Sequence, residues 1–467
     1  MFCPVGARNS TRKHPQIIDT PAKHQHRQTC AEIVYNWAFL NEKDYILILH
    51  TMAQEPQESG IVRLVNNILL EAVQSRTSDI HVETSEQDIV IRYRTDGVLI
   101  PQQISQDVRE SAMQVVSRLK LMANLDIAER RLPQDGRIAL KVGGRDVDIR
   151  VSCIPSLYGE GIVMRILDKS SMKFSLRGLG MAPSNYELFS NLIRLPHGLI
   201  LITGPTGSGK TTTLYSALTT INKPGMKIVT AEDPVEYRLQ GVSQIQINER
   251  IGLTFVSLLR RILRHDPDVV LVGEMRDLET VEIALQAAMT GHLVFSTLHT
   301  NDAAGAYTRL LSQGVEPFLV SSCVDAVVAQ RLVRDLCQHC KEPYDPGADE
   351  VPEDFPMEAL RGGHNQAVRN LVTGTGAPDG KIYRAAGCVH CRNVGYRGRS
   401  GVFELLRSSD VIRGMVERNV SAWEIKRTAI EEGMLTLRMD GWRKVLAGET
   451  TVEEVVRVTR ADATQTH

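Results

Sequence analysis

An α/β fold, with a smaller α+β domain ahead of it, is what this sequence predicts, and three observations carry the prediction. Four continuous apolar runs, Leu199–Thr203, Ile228–Ala231, Val269–Val272 and Leu293–Thr297, alternate with helical stretches. Continuous rather than alternating runs mark parallel strands buried on both faces. A glycine-rich stretch, Gly204-Pro-Thr-Gly-Ser-Gly-Lys210-Thr211, joins the first run to a helical pattern. Hairpin signals occupy the region before about residue 175, where the texture is that of a small mixed domain.

The 467 residues correspond to about three domains of ordinary size. A hydrophobic share of 42% and a charged share of 23% suit globular domains with real cores. Lys plus Arg is 54 and Asp plus Glu is 55, so the formal net charge is −1 and no global basic excess argues for nucleic acid. Aromatics at 5% weaken any reading built on base stacking. There is no apolar run of about 18 residues to span a membrane, and no signal peptide pattern at the start. The chain reads as cytoplasmic.

Residues 1–58 form a variable N-terminal segment. Residues 1–30 set Arg8, Arg12, Lys13, Lys23 and Arg27 against Asp19 alone, which suits a flexible basic arm, and Tyr45–Leu49 is a short strand candidate. An α+β subdomain is expected over 59–175. Ile61, Leu64, Val65, Ile68, Leu69 and Ala72 recur at helical spacing. Ile89–Arg94 and Val98–Ile100 flank Thr95-Asp96-Gly97, a strong hairpin signal. A second hairpin is expected from Ile138–Val142 through Gly143-Gly144 to Val147–Ser152, with Val147, Ile149 and Val151 on one face and Asp148, Arg150 and Ser152 on the other. The P-loop core follows over 176–335. A cysteine-bounded insertion is expected over 336–395, and a helical C-terminal region over 396–467.

Gly204 to Thr211 fits G-x-x-x-x-G-K-[ST] in full, after a strand and before a helix, as the motif requires. The glycines let backbone N–H groups wrap a phosphate chain, and the helix N-terminus adds positive potential. The nucleotide-binding set is Gly204, Pro205, Thr206, Gly207, Ser208, Gly209, Lys210, Thr211 and Thr212. Lys210 is expected to reach the β and γ phosphates, and the Thr211 hydroxyl to ligate Mg²⁺ accompanying ATP. The competing reading, a glycine-rich turn that binds nothing, has little support once strand and helix are in place. The other runs end in polar groups, at Glu232-Asp233, Glu274 and Ser296–His299. Taken singly each is a solvated strand end; converging beside a P-loop at one sheet edge, they point to chemistry. Glu274 is the first choice for the group that polarises water, and Glu232 the second.

These residues resemble the secretion ATPases of the type II and type IV pilus systems (GspE/PilB-like). Beside the P-loop stand an aspartate box, Thr230-Ala-Glu-Asp-Pro-Val-Glu236, a Walker B segment, Asp266 to Asp277, and a histidine box with His292 and His299. The resemblance covers residues 60 to 460. It implies a RecA-like domain preceded by a small PAS-like α+β domain, in a homo-hexamer with ATP bound between the two domains. Ser78-Asp-Ile-His81, Ala128-Glu-Arg-Arg131, Asp135-Gly-Arg137, Asp148-Ile-Arg150 and Met164-Arg165 are similar to the family's motifs in the first domain. By that match Arg150 and Arg165 are arginine fingers; without it, surface ion pairs would be the default reading. Gly161 stands where most relatives carry a basic residue, and fewer than sixty residues stand where relatives often carry whole domains.

Cys337-Gln-His-Cys340 and Cys388-Val-His-Cys391 supply four thiolates, enough for a closed tetrahedral structural zinc site; two redox pairs or unrelated thiols are the alternatives. The family carries a tetracysteine loop here, whereas its retraction motors do not. His339 and His390 are expected to be spectators, and Cys3, Cys30, Cys153 and Cys323 ordinary thiols. The resemblance implies an ATP-hydrolysing motor for (pseudo)pilus assembly, peripheral at the inner membrane through platform-protein partners, with no nucleic acid. The tail segments Gly401–Leu406 and Leu446–Thr451 look closer to type II secretion than to type IV pilus extension. A nucleic-acid translocase and a nucleotide-dependent scaffold are the readings from other classes.

Overall fold

The computed structural model describes residues 60–461 except 87, 105–110, 143–144, 169–173 and 361–380. The basic arm, the strand candidate at Tyr45–Leu49, Cys3 and Cys30 lie outside the described residues.

The expected first helix is α1 (Gly60–Gln74), which buries Val65, Ile68, Leu69, Ala72 and Val73 along one stripe. After it come β1 (Thr77–Thr84), β2 (Ile89–Thr95), β3 (Val98–Pro101), α2 (Ala112–Met122), β4 (Gln134–Val142), β5 (Arg145–Ser156) and β6 (Gly159–Asp168). They form a six-stranded sheet in the order β3-β2-β1-β6-β5-β4. Every pairing is antiparallel. Asp96 and Gly97 have φ of 48° and 87°, as a two-residue turn of type I′ demands. Val147, Ile149 and Val151 enter the core that both helices share. Arg150 stays on the opposite face, with Arg165 of β6 directly across the ladder from it.

The second sheet has seven strands in the order β15-β12-β7-β11-β10-β8-β9. Four of them are the predicted apolar runs: β7 (Gly198–Thr203), β8 (Ile228–Glu232), β10 (Val269–Val272) and β11 (Leu293–Leu298). All residues of these strands are buried. Successive residues feed opposite cores: Leu199 and Leu201 pack on one face, Ile200 and Ile202 on the other. Such two-sided burial is the reason the runs are continuous. Helices α3 (Pro183–Leu192), α4 (Lys210–Ile221), α5 (Phe255–Ile262), α6 (Leu278–Met289), α7 (Ala304–Ser312) and α8 (Pro317–Cys323) surround the strands.

Three strands of this sheet were not among the expected ones. The short β9 (Ser243–Gln246) adds to the edge beside β8. On the other side β12 (Val324–Leu336) runs parallel to β7 and pairs antiparallel with β15 (Tyr396–Arg407). Residues 396–407, expected to open the helical region, are therefore part of the sheet. The physical reason is visible in the burial of Val402, Phe403, Leu405 and Leu406, which cover both faces. The cysteine segment is an excursion between two paired strands, with its own small ladder of β13 (Lys341–Tyr344) and β14 (Ile382–Ala385). Helices α9 (Asp410–Glu417), α10 (Ala422–Glu431), α11 (Leu437–Leu446) and α12 (Val452–Val458) close the chain. Among the described residues no helix is long and apolar enough to cross a membrane.

Candidate active site

The carboxyl ends of the parallel strands gather the polar residues, as expected for an open α/β sheet. Between β7 and α4 the loop holds Gly204, Gly207 and Gly209 at positive φ, with Pro205, Thr206 and Gly207 exposed. A Cβ on Gly204 would stand 2.5 Å from the Gln330 carbonyl oxygen, so the close approach of β12 makes glycine obligatory there. Ser208 is buried, and its Oγ has no hydrogen-bond partner, an orphan donor of the kind a phosphate oxygen satisfies. Thr211 and Thr212 lie half-buried on the first turn of α4.

Lys210 folds back over the loop, donating from Nζ to the Gly204 carbonyl at 2.7 Å and to that of Pro205 at 3.2 Å. Burial lowers its pKa to about 8, while the charge of Glu274 pulls it back up. Glu274 follows β10 and is largely buried. Its Oε1 lies 2.5 Å from Arg276 Nη2, and its Oε2 lies 3.6 Å from His299 Nε2. Burial, then the neighbouring Lys210, lowers the pKa of His299, so at neutral pH the imidazole has an unprotonated nitrogen to offer.

Glu232 ends β8 at 4% exposure with its oxygens occupied. Tyr215 Oη of α4 donates to Oε2, while Thr230 Oγ1 at 2.6 Å and Gln244 Nε2 at 3.1 Å donate to Oε1. Gln244 Nε2 also donates to the Tyr237 carbonyl at 3.0 Å. The network ties the P-loop helix to the segment after the aspartate box. Glu232 thus sits inside a closed hydrogen-bond set, whereas Glu274 meets Arg276 and His299.

Arg150 crosses from the α+β domain to the aspartate box. Its Nη1 donates to Glu236 Oε1 at 3.2 Å, its Nη2 lies 3.1 Å from Oε2, and Nη2 donates to the Val235 carbonyl at 3.5 Å. Arg165 instead donates from Nε to Asp79 Oδ1 at 3.0 Å, within the Ser78–His81 motif. Arg137 pairs with Asp148 and Arg131 with Glu129. Buried Lys120 holds this segment down, donating to the Glu129 carbonyl and to Glu160 Oε1, both at 2.6 Å.

The histidine box divides. His299 follows β11 and faces Glu274, but His292 precedes that strand, with Nδ1 beside the Ala287 carbonyl at 3.0 Å and Thr290 Oγ1 at 3.2 Å. A strand of this length spans ~20 Å, so His292 belongs to the opposite sheet edge. Arg331 of β12 is the site residue that sequence reasoning missed. Its Nη2 donates to the Asn301 carbonyl at 2.7 Å, and a Cβ on Gly204 would meet its Nη1 at 3.0 Å. Nothing local in a strand sequence marks such an arginine; only the parallel pairing of β12 with β7 brings it beside the P-loop.

Cys337, Cys340, Cys388 and Cys391 come together with all sulfurs within 4.8 Å of one another. Sγ separations of 3.9 Å (Cys337–Cys388), 3.7 Å (Cys340–Cys391) and 3.8 Å (Cys388–Cys391) match the ~3.8 Å edge of a tetrahedron with Zn–S bonds of ~2.3 Å. The Cys388 and Gly395 backbone N–H groups donate to Cys391 Sγ at 3.1 and 3.2 Å. Although burial opposes ionisation of Cys391, these donors win and hold its thiol at about 6. The residues fit zinc. His339 and His390 stack on each other 4.2 Å apart, exposed and outside the sulfur cluster. Burial pushes the Cys153 thiol up to about 12 and that of Cys323 to about 11, consistent with inert core thiols.

Comparison with known proteins places this geometry. The family model described as "Type II/IV secretion system protein" matches residues 54–457. Type II secretion system protein E of Pseudomonas aeruginosa is 51% identical over 411 residues, covering 88% of this chain and 78% of the relative. The type IV pilus assembly ATPase PilB of Myxococcus xanthus is 46% identical over 417 residues, 88% of this chain and 70% of the relative. Among solved structures, the ATPase DotB of Legionella pneumophila shares the fold, with a TM-score of 0.60 at 19% identity over 87% of this chain and 97% of that one.

Proposed function

The chain belongs to the type II/IV secretion system protein family, and from that premise we propose that it is a hexameric ATPase driving pseudopilus assembly for type II protein secretion. The observation that carries the reading is a complete P-loop between β7 and α4, with Lys210 folded over its carbonyls and the buried Ser208 Oγ left without a partner. The reaction is hydrolysis of ATP to ADP and phosphate. Gly204 to Thr212 wrap the phosphate chain, Ser208 Oγ gains a partner, and Lys210 turns from its own loop carbonyls to the β and γ phosphates. The Thr211 hydroxyl would hold the Mg²⁺ that accompanies ATP, and that ion would supply neutralising charge to the phosphates. Glu274 orients the attacking water and accepts its proton at a carboxylate oxygen, a task its contacts with Arg276 and His299 leave it placed to do. Glu232 supports from below by holding α4 to the aspartate-box segment.

Arg150 supplies charge to the transferring phosphoryl group. Glu236 and a phosphate compete for one guanidinium, so engagement requires that pair to open, which links hydrolysis to motion between the domains. Arg165, anchored on Asp79, is the neighbouring finger. The four cysteines would hold a structural zinc, which would brace this segment and take no part in hydrolysis. The ring is cytoplasmic and reaches the inner membrane through platform proteins; near-neutral charge argues against nucleic acid. Type II secretion is favoured over pilus extension by the wording of the tail segments Gly401–Leu406 and Leu446–Thr451. Complementation decides between them: the gene restores secretion in a strain lacking its type II ATPase, and restoration of pili alone would reverse the assignment. A salt-sensitive stimulation of hydrolysis by DNA would overturn the motor reading altogether.

A further inference from the structure

The chain on the C-terminal side of the cysteine cluster grips the α+β domain at two places. Arg392 follows Cys391 directly, and its Nη1 donates to Ser75 Oγ, just past α1. The Gly398 backbone N–H donates to Asp96 Oδ2 at 3.0 Å, and Arg399 Nε stands 3.9 Å from Asp96 Oδ1. Asp96 lies in the β2–β3 turn, so both grips are on the first domain. Arg392 and Asn393 have φ of 55° and 61°. Left-handed backbone is unfavourable for arginine and persists where surroundings over-determine it. Here the constraint is Cys391, whose sulfur takes N–H bonds from Cys388 and Gly395 on either side of the turn. The same turn that closes the thiolate cluster therefore aims Arg392 at Ser75.

We propose that the tetracysteine knuckle is a strut between the domains, with Arg392 and Asp96 as positioning residues for hydrolysis. By fixing the backbone from Cys391 to Arg399, the knuckle limits how far the α+β domain can swing, so that Arg150 stays within reach of the phosphate site when its pair with Glu236 opens. Domains of one chain move relative to each other by default unless something holds them. This inference rests on the reading of the cysteines as a zinc site and of Arg150 as a group serving ATP.

Hydrogen–deuterium exchange on the full chain tests it, comparing zinc-loaded protein, chelator-treated protein and the zinc-loaded variants Asp96→Ala, Asp96→Asn and Arg392→Met. Chelation is expected to raise exchange in residues 75–101 as well as around the cysteines. Asp96→Ala raises exchange in 92–101 about tenfold, the effect of losing one charge-assisted hydrogen bond, with zinc content unchanged. It also lowers kcat with KM for ATP unchanged, because the P-loop lies in the other domain. Asp96→Asn keeps an acceptor for Gly398 and restores part of both effects, and Arg392→Met loosens the end of α1. Exchange in 75–101 that ignores both chelation and the variants would overturn the strut. Repeating the exchange on Lys210→Ala protein separates the two readings. The zinc-dependent protection persists there if the strut is real, whereas wild-type protein without ATPase activity would sink the functional reading and leave the strut standing.

Discussion

Lys210 is the residue on which the site's pH behaviour turns. Burial holds its pKa at about 8, below the usual lysine value, and a bound phosphate favours the charged form. ATP binding therefore takes up a proton wherever the free site has lost one. Affinity is expected to be flat below pH 8 and to fall by up to about tenfold per pH unit above it. Binding titrations between pH 7 and 9.5 check this, and a flat profile would contradict it. Lys210→Ala removes turnover at every pH. Glu274→Gln keeps the shape beside Arg276 and His299 but cannot take a proton, so kcat should fall about 10²–10⁴-fold with ATP still bound. Arg150→Ala spares binding in the same way and slows hydrolysis by 10³–10⁵-fold for an essential finger, read in a single-turnover assay. Had Glu232 rather than Glu274 been the base, Glu274→Gln would retain most of the rate. The Glu232 oxygens are already committed to Tyr215, Thr230 and Gln244.

At the scale of elements, the way the C-terminus docks is as informative as the sheet. Glu454 of α12 is buried and accepts from the Arg334 backbone N–H of β12 at 3.0 Å and from Arg334 Nη2 at 2.6 Å, with Arg457 Nη2 2.7 Å away. Burial alone would raise its pKa, but these donors outweigh it and hold it at about 2. A depressed carboxylate stabilises the fold above its unfolded pKa and loses that contribution as pH falls through its folded value. Glu454 should thus contribute on the order of 3 kcal/mol at neutral pH, lost between about pH 4.5 and 2. Glu454→Gln is expected to lower stability at pH 7 and to leave it nearly unchanged at pH 2, by denaturant unfolding. For the cysteine element, metal analysis should find about one zinc per chain, and Cys388→Ser should abolish it; normally folded protein without zinc would refute the assignment. These elements also show what the sequence could disclose. The four apolar strands and the Asp96-Gly97 turn were legible because their signals are local: burial on both faces, and two residues that tolerate positive φ. The β12–β15 pair was not, since its partners are separated by the cysteine excursion and register across it leaves no local mark. Arg331 was hidden for the same reason. The resemblance groups His292 and His299 in one histidine box, yet a buried strand places them at opposite edges of the sheet.

For the whole molecule, the α+β domain carries Arg150 and Arg165 and the other domain the P-loop, so the proposed mechanism makes hydrolysis depend on how the two are held. Arg150 engages Glu236 of its own chain, and that pair must open before the guanidinium can serve a phosphate. In the proposed hexamer, contacts between neighbouring subunits would drive such an opening by favouring one domain arrangement over another. The proposed strut would set the limit of that movement through the Arg392–Ser75 and Gly398–Asp96 hydrogen bonds. The measurement that tests this account most directly is ATPase rate against protein concentration, with sedimentation on the same samples. The account predicts a rate per chain that rises with the hexamer population and is negligible in the monomer. Equal specific activity in monomer and hexamer would contradict it, placing every catalytic requirement within one chain and leaving the ring without a part in hydrolysis.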